Sequence, residues 1–168
     1  SRVANESLNL DAFTGHANEL GMALNQTTDN ILQTAYEIQK LGYDLEGSGD
    51  ELLRWTSILS NVGDISIDEA MGGLVTTLKG FNLEATESER IINAMNEVGN
   101  KYAIGVGDIT EALRSSSANL AMTNTSLEQS VGLITASYEV LQDSGRVGRF
   151  NNPWLTINPL NCWDILRA

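Results

Sequence analysis

Cysteine is almost absent from this chain: Cys162 is the only one. A single thiol forms no internal disulfide and no zinc site, so neither staple is available to the fold. Proline is nearly as scarce, and both copies, Pro153 and Pro159, stand in the stretch from Phe150 to Ala168. Aromatic residues make up 6% of the sequence, which suits helices packed through Ala, Leu, Ile and Met. Positive charge is also short, with 10 Lys and Arg against 22 Asp and Glu and a net charge of −12. Phosphate recognition needs clustered cations, and these are scattered singly, which weighs against nucleic acid as a partner of this segment. The same acidity repels anionic lipid headgroups. No apolar run approaches the roughly 18–20 residues of a membrane-spanning helix. The opening "SRVANESLNL" has no apolar signal core and no initiator Met, and it reads as a fragment or a processed chain. These features describe a soluble, cytoplasmic, acidic domain.

What is present is helical periodicity. Apolar residues recur at three- and four-residue steps in nearly every segment. The stripes are Leu10, Phe13, Ala17, Leu20 and Leu24; then Ile31, Ala35, Ile38 and Leu41; then Leu52, Trp55, Leu59 and Val62. They continue as Ile67, Ala70, Leu74, Leu78 and Phe81; Ile91, Met95, Val98 and Tyr102; Ile109, Leu113 and Leu120; and Leu127, Val131, Ile134, Tyr138 and Leu141. No segment alternates with period two. The chain is predicted to be all-α, with six to seven short helices.

Capping boxes mark the predicted starts. "SIDE" (Ser66–Glu69), "TESE" (Thr86–Glu89) and "SLEQ" (Ser126–Gln129) each place a hydroxyl three residues before a Glu or Gln. "DITE" (Asp108–Glu111) offers the same geometry with an Asp cap, and Thr28 and Ser48 cap two further helices. Gly42, Gly63, Gly80 and Gly105 follow apolar stripes and read as left-handed helix stops. The caps recur at close to twenty residues, so alternate caps give the period of a helix hairpin, and "VGDI" appears twice, at Val62–Ile65 and Val106–Ile109. Stacked antiparallel hairpins are expected.

No catalytic, cofactor-binding or metal-ligating residue is assigned. Asp44, Glu46, Ser48 and Gly49 fall at calcium-loop positions, but the twelfth position, which needs a carboxylate, is Trp55. "GVGDIT" (Gly105–Thr110) lacks the strand, third glycine and lysine of a phosphate loop. His16, the single histidine, has no nucleophile beside it in any motif and reads as a surface or boundary residue. Trp55 and Tyr138 read as core, with a role as interface anchors the alternative. The Ser- and Ala-rich run "LRSSSANLAM" (Leu113–Met122) permits close helix approach, either inside the domain or against a partner.

The ordered series "FNLEATESE", "NEVGNKYA", "GDITEAL", "TNTSLEQSVGLITA" and "LQDSGRVG", with "LQTAYEIQKLGYDLE" upstream, resembles the conserved region of phage tail tape measure proteins over roughly residues 20–148. That resemblance implies a structural, non-enzymatic segment of prophage origin that touches tail tube and tail assembly proteins. It places the chain in the host bacterial cytoplasm during assembly and in the virion tail once incorporated. It carries no catalytic set, metal or cofactor. The resemblance fails at Arg149, so two units are expected: a helical domain over 1–148 and a non-helical or foreign tail over 149–168. Up to residue 143 the chain holds seven Lys and Arg against twenty-one Asp and Glu; from 144 onward it holds three against one. The tail reads either as the product of a truncated or frame-shifted gene or engineered junction, or as a natural tail docking Trp154 and Trp163 on the helices. A stand-alone helical-repeat adaptor is the competing reading of the whole.

Overall fold

The computed structural model describes residues 10–24, 26–45 and 47–149. The predicted tail from residue 150 onward therefore lies outside the described residues. Among the described residues the main α-helices follow one another as α1 (Leu10–Leu24), α2 (Thr28–Lys40), α3 (Ser48–Gly63), α4 (Ile67–Gly80), α5 (Ser88–Lys101), α6 (Val106–Met122) and α7 (Leu127–Leu141). A 3₁₀ turn, Ala85–Glu87, leads into α5. Residues 144–149 are again helical. No strand occurs among the described residues, and the fold is all-α.

The apolar stripes become the core. Ile31, Ile38, Leu52, Leu59, Leu74, Leu78, Ile91, Met95, Ile109, Leu113 and Leu120 are completely buried. Each full burial of such a side chain stabilises the fold by about 1.5–3 kcal/mol. The stripes fail at helix ends, where Leu41, Val62 and Tyr102 are exposed.

Two predicted caps form as read. Ser66 Oγ accepts from the Glu69 amide at 3.2 Å while the Glu69 carboxylate accepts from the Ser66 amide at 3.0 Å. Ser126 and Gln129 make the same reciprocal pair. The other four starts are corrected. Thr27 caps α2 in place of Thr28, and Thr28 instead donates to Asn18 Oδ1 at 2.6 Å. Gly47 precedes α3 with no side-chain cap, so Ser48 is already helical. Thr86 falls inside the 3₁₀ turn. Asp108 lies in the first turn of α6, which begins two residues earlier behind Gly105.

The stops are corrected as well. Gly42 has φ +90° and ends α2 as expected. Gly63 and Gly80 are themselves helical, and the left-handed positions beyond them are Asp64 (φ 50°) and Asn82 (φ 53°). Short polar side chains tolerate that region because they bond locally. Gly105 is a helix start. The glycines at 63, 73, 80 and 107 serve instead to let helices touch. A Cβ on Gly107 would stand 2.7 Å from the Gly63 carbonyl oxygen, and one on Gly80 would stand 2.6 Å from Ser117 Oγ.

Inter-helix contacts fix the directions. Gly73 meets Thr110 and Gly80 meets Ser117, so α4 and α6 run parallel in step. His16 meets Asp50 and Asn61 donates to the Leu24 carbonyl, so α1 and α3 are parallel. Arg90 and Glu128, at the starts of α5 and α7, pair at 2.6 Å. Tyr138 near the end of α7 reaches Asp108 at the start of α6, so those two are antiparallel. The result is two layers: α1, α3, α5 and α7 point one way, and α2, α4 and α6 the other. This is the expected stack of antiparallel hairpins, with one addition: α3 also packs on α6 across the stack.

Candidate functional site

Where α3 ends, α4 begins and α6 begins, the stack leaves an open groove of about 340 Å³. Its floor is glycine: Gly63, Gly105 and Gly107 bring backbone to the surface, because any side chain at Gly107 would strike the Gly63 carbonyl. The two "VGDI" copies thus meet here, but as different structures. The first closes a helix through left-handed Asp64, and the second lies in the opening turn of α6.

The walls carry Glu69, Asp108, Glu111 and Arg114. The Ser66 hydroxyl donates to Glu69 at 2.7 Å, and with the Ser66 amide and nearby Arg114 it holds that carboxyl below its ordinary range. Arg114 pairs with Glu111 at 2.8 Å. Asp108 accepts from the Tyr138 hydroxyl at 3.1 Å. Burial first, then this bond to a carboxylate, pushes the Tyr138 phenol up. Each of these groups is tied to a structural partner, and the groove reads as a charged surface feature of the stack.

The residues weighed in the sequence fall as follows. Around the calcium-like loop, the Gly47 and Gly49 amides both donate to the Asp44 carbonyl, at 3.2 and 2.8 Å, making a turn. His16 is exposed, with Nε2 2.7 Å from Asp50 Oδ1. Trp55 is half-buried under the Arg54 guanidinium, 5.8 Å from the ring centre. In the run Leu113–Met122, one face (Leu113, Ser116, Ser117, Leu120) is buried, with Ser117 donating to the Thr76 carbonyl of α4. Arg114, Ser115, Ala118 and Met122 face out. Among the described residues no group of His, Cys, Asp or Glu is placed to hold a metal, and no helix is long and apolar enough to cross a membrane. The Asp108–Tyr138 bond joins residues thirty positions apart and left no local signal in the sequence.

The model of the phage-related minor tail protein family matches residues 14–147. The chain belongs to the phage-related minor tail protein family. The match spans every helix from within α1 to α7 and enters the helical stretch 144–149, whose Val147 is fully buried. The family match therefore covers the stacked hairpins of this phage tail protein. No solved structure matches the chain.

Proposed function

We propose that this minor tail protein domain is an assembly segment of a tape measure protein, acting through protein–protein contacts as the tail tube polymerises around the longer chain. The observation that carries the reading is the family match over 14–147, taken with the order of motifs that resembles the tape measure conserved region. The domain acts by contact and not by catalysis: Glu69, Glu111 and Asp108, the carboxylates of its groove, are each committed to a neighbouring side chain. Its partners are tail tube and tail assembly proteins, met in the host bacterial cytoplasm and carried into the virion tail. A prophage is the expected source.

Co-expression with the tube and assembly proteins of a matching phage, followed by affinity capture of the tagged full chain, tests this. Retention of a tube subunit or assembly chaperone is expected. Capture of no tail component, with a stable complex to a protein outside the tail, would favour the second reading, a stand-alone adaptor that uses the groove between the two "VGDI" segments.

A further inference from the structure

Most apolar residues of the stack are buried, yet seven large ones are left in water among the described residues, and four of these are regularly placed. Met22 is 80% exposed, Val62 44%, Tyr102 51% and Val140 82%. They recur at intervals of forty, forty and thirty-eight residues. Met22, Val62 and Val140 lie in the last turns of α1, α3 and α7, and Tyr102 is the C-cap of α5. These four helices form the parallel layer, so their C-terminal ends share one rim. Contacts along that rim join its parts: Asn61 to Leu24, Gly63 to Gly107, and Tyr138 to Asp108. Tyr36 (61%) and Leu41 (42%), toward the end of α2, and Met122 (81%), at the end of α6, are also exposed but lie toward the opposite rim.

The rim is also acidic. Asp64 and Asp143 follow Val62 and Val140 closely, and Asp29, Asp68, Glu69 and Asp108 occupy the first turns of α2, α4 and α6, which open on the same side. Of the cations nearby, Lys101 and Arg114 are held by Glu97 and Glu111, and Arg146 and Arg149 stand just beyond Asp143, so the carboxylates of the edge outnumber its cations. A second copy of this chain, with its own charge of −12, would be repelled from such an edge.

We propose that this rim is a docking edge for a basic amphipathic helix. Neighbouring helices in a packed layer stand about 8–10 Å apart, so the four apolar ends form a row about 27 Å long. A helix rises about 1.5 Å per residue, so apolar side chains repeating about every six or seven residues keep step with the row. Lysines or arginines flanking them meet the aspartates. The inference rests on the reading of this domain as a contact module and not on its being part of a tape measure.

The test uses the full chain and a synthetic helix of about 21 residues with leucines at heptad spacing and flanking lysines. Binding is read by titration calorimetry, and the bound surface by amide chemical-shift changes in the unmodified protein. The expected result is binding, with shifts concentrated at the ends of α1, α3, α5 and α7. The variant M22S/V140S should weaken binding at least about tenfold, M122S should leave it unchanged, and circular dichroism should report intact helices in both. The same peptide with glutamates for lysines should not bind. No binding, equal binding of the glutamate peptide, shifts on the opposite rim, or equal loss in M122S would each overturn the proposal.

Discussion

Single side chains decide where helices start and where the core is imperfect. Ser66 closes a complete capping box, whereas Thr86, with the same local motif, sits inside a 3₁₀ turn and caps nothing. Ser66→Ala should therefore cost about 1 kcal/mol in urea unfolding, and Thr86→Ala should cost almost nothing. Equal losses would show that the motif, not the geometry, sets the effect. Thr56 is fully buried and its hydroxyl has no partner. Thr56→Val keeps the shape and removes the stranded oxygen, so the denaturation midpoint should rise, by about 1 kcal/mol in stability. Two titrations have opposite signs. Glu69 is held below the usual carboxylate range by Ser66, so its contribution is present above the unfolded pKa and is lost as pH falls through the folded value. Tyr138 is raised by burial and by Asp108, so its contribution is present below the unfolded pKa and is lost as pH rises through the folded one. Tyr138→Phe should remove the latest-titrating phenol from an alkaline absorbance titration and flatten the loss of stability at high pH.

At the level of the element, the contact between α4 and α6 organises the stack. Gly73 faces the γ-methyl of Thr110, whose hydroxyl is meanwhile fixed on the Val106 carbonyl at 2.8 Å. A methyl group at 73 has no room, so Gly73→Ala should destabilise by about 1–3 kcal/mol despite its better helix propensity. Thr110→Ser removes the obstructing methyl, and the double variant G73A/T110S should recover most of the loss. A double variant no better than G73A would place the strain elsewhere. Gly132 supplies the contrast: it is exposed in the middle of α7, and a Cβ added there would meet nothing within 4 Å. Gly132→Ala should stabilise the protein by about 1 kcal/mol, measured by thermal melting. Many of the core hydroxyls, including Thr34, Ser57, Thr77, Ser116 and Thr135, bond to the carbonyl four residues back. That habit lets small polar residues fill tight helix contacts without stranding a donor.

For the whole molecule, charge is the dominant long-range term. The net −12 is spread over a surface with few ion pairs, and Arg90 carries two of them, to Glu87 and Glu128. Self-repulsion should exceed the small gain from exposed pairs. Raising NaCl from about 0.02 to 0.5 M, where the Debye length shrinks to a few ångströms, should therefore raise the melting temperature. A fall would mean that the surface pairs outweigh the repulsion. The layered stack itself was legible in outline, because stripes such as Ile31, Ala35 and Ile38 and the near-forty-residue period reflect burial on one face of each helix. The groove was not, because its floor comes from Gly63 and Gly107, which approach only after α4 and α5 have brought them together.

The sequence alone determined the class of fold, most of the core and two of the caps, since these depend on residues within one or two helical turns of each other. It also excluded an internal disulfide, because that needs a second cysteine this chain lacks. Tertiary structure decided what each glycine is for, why Asp108 bonds Tyr138 instead of capping a helix, and which stripe ends remain in water. Those outcomes depend on which helices run parallel. Local periodicity fixes the buried face of a helix but not the neighbour that covers it, so Met22, Val62, Tyr102 and Val140 become one edge only once the layers are assembled.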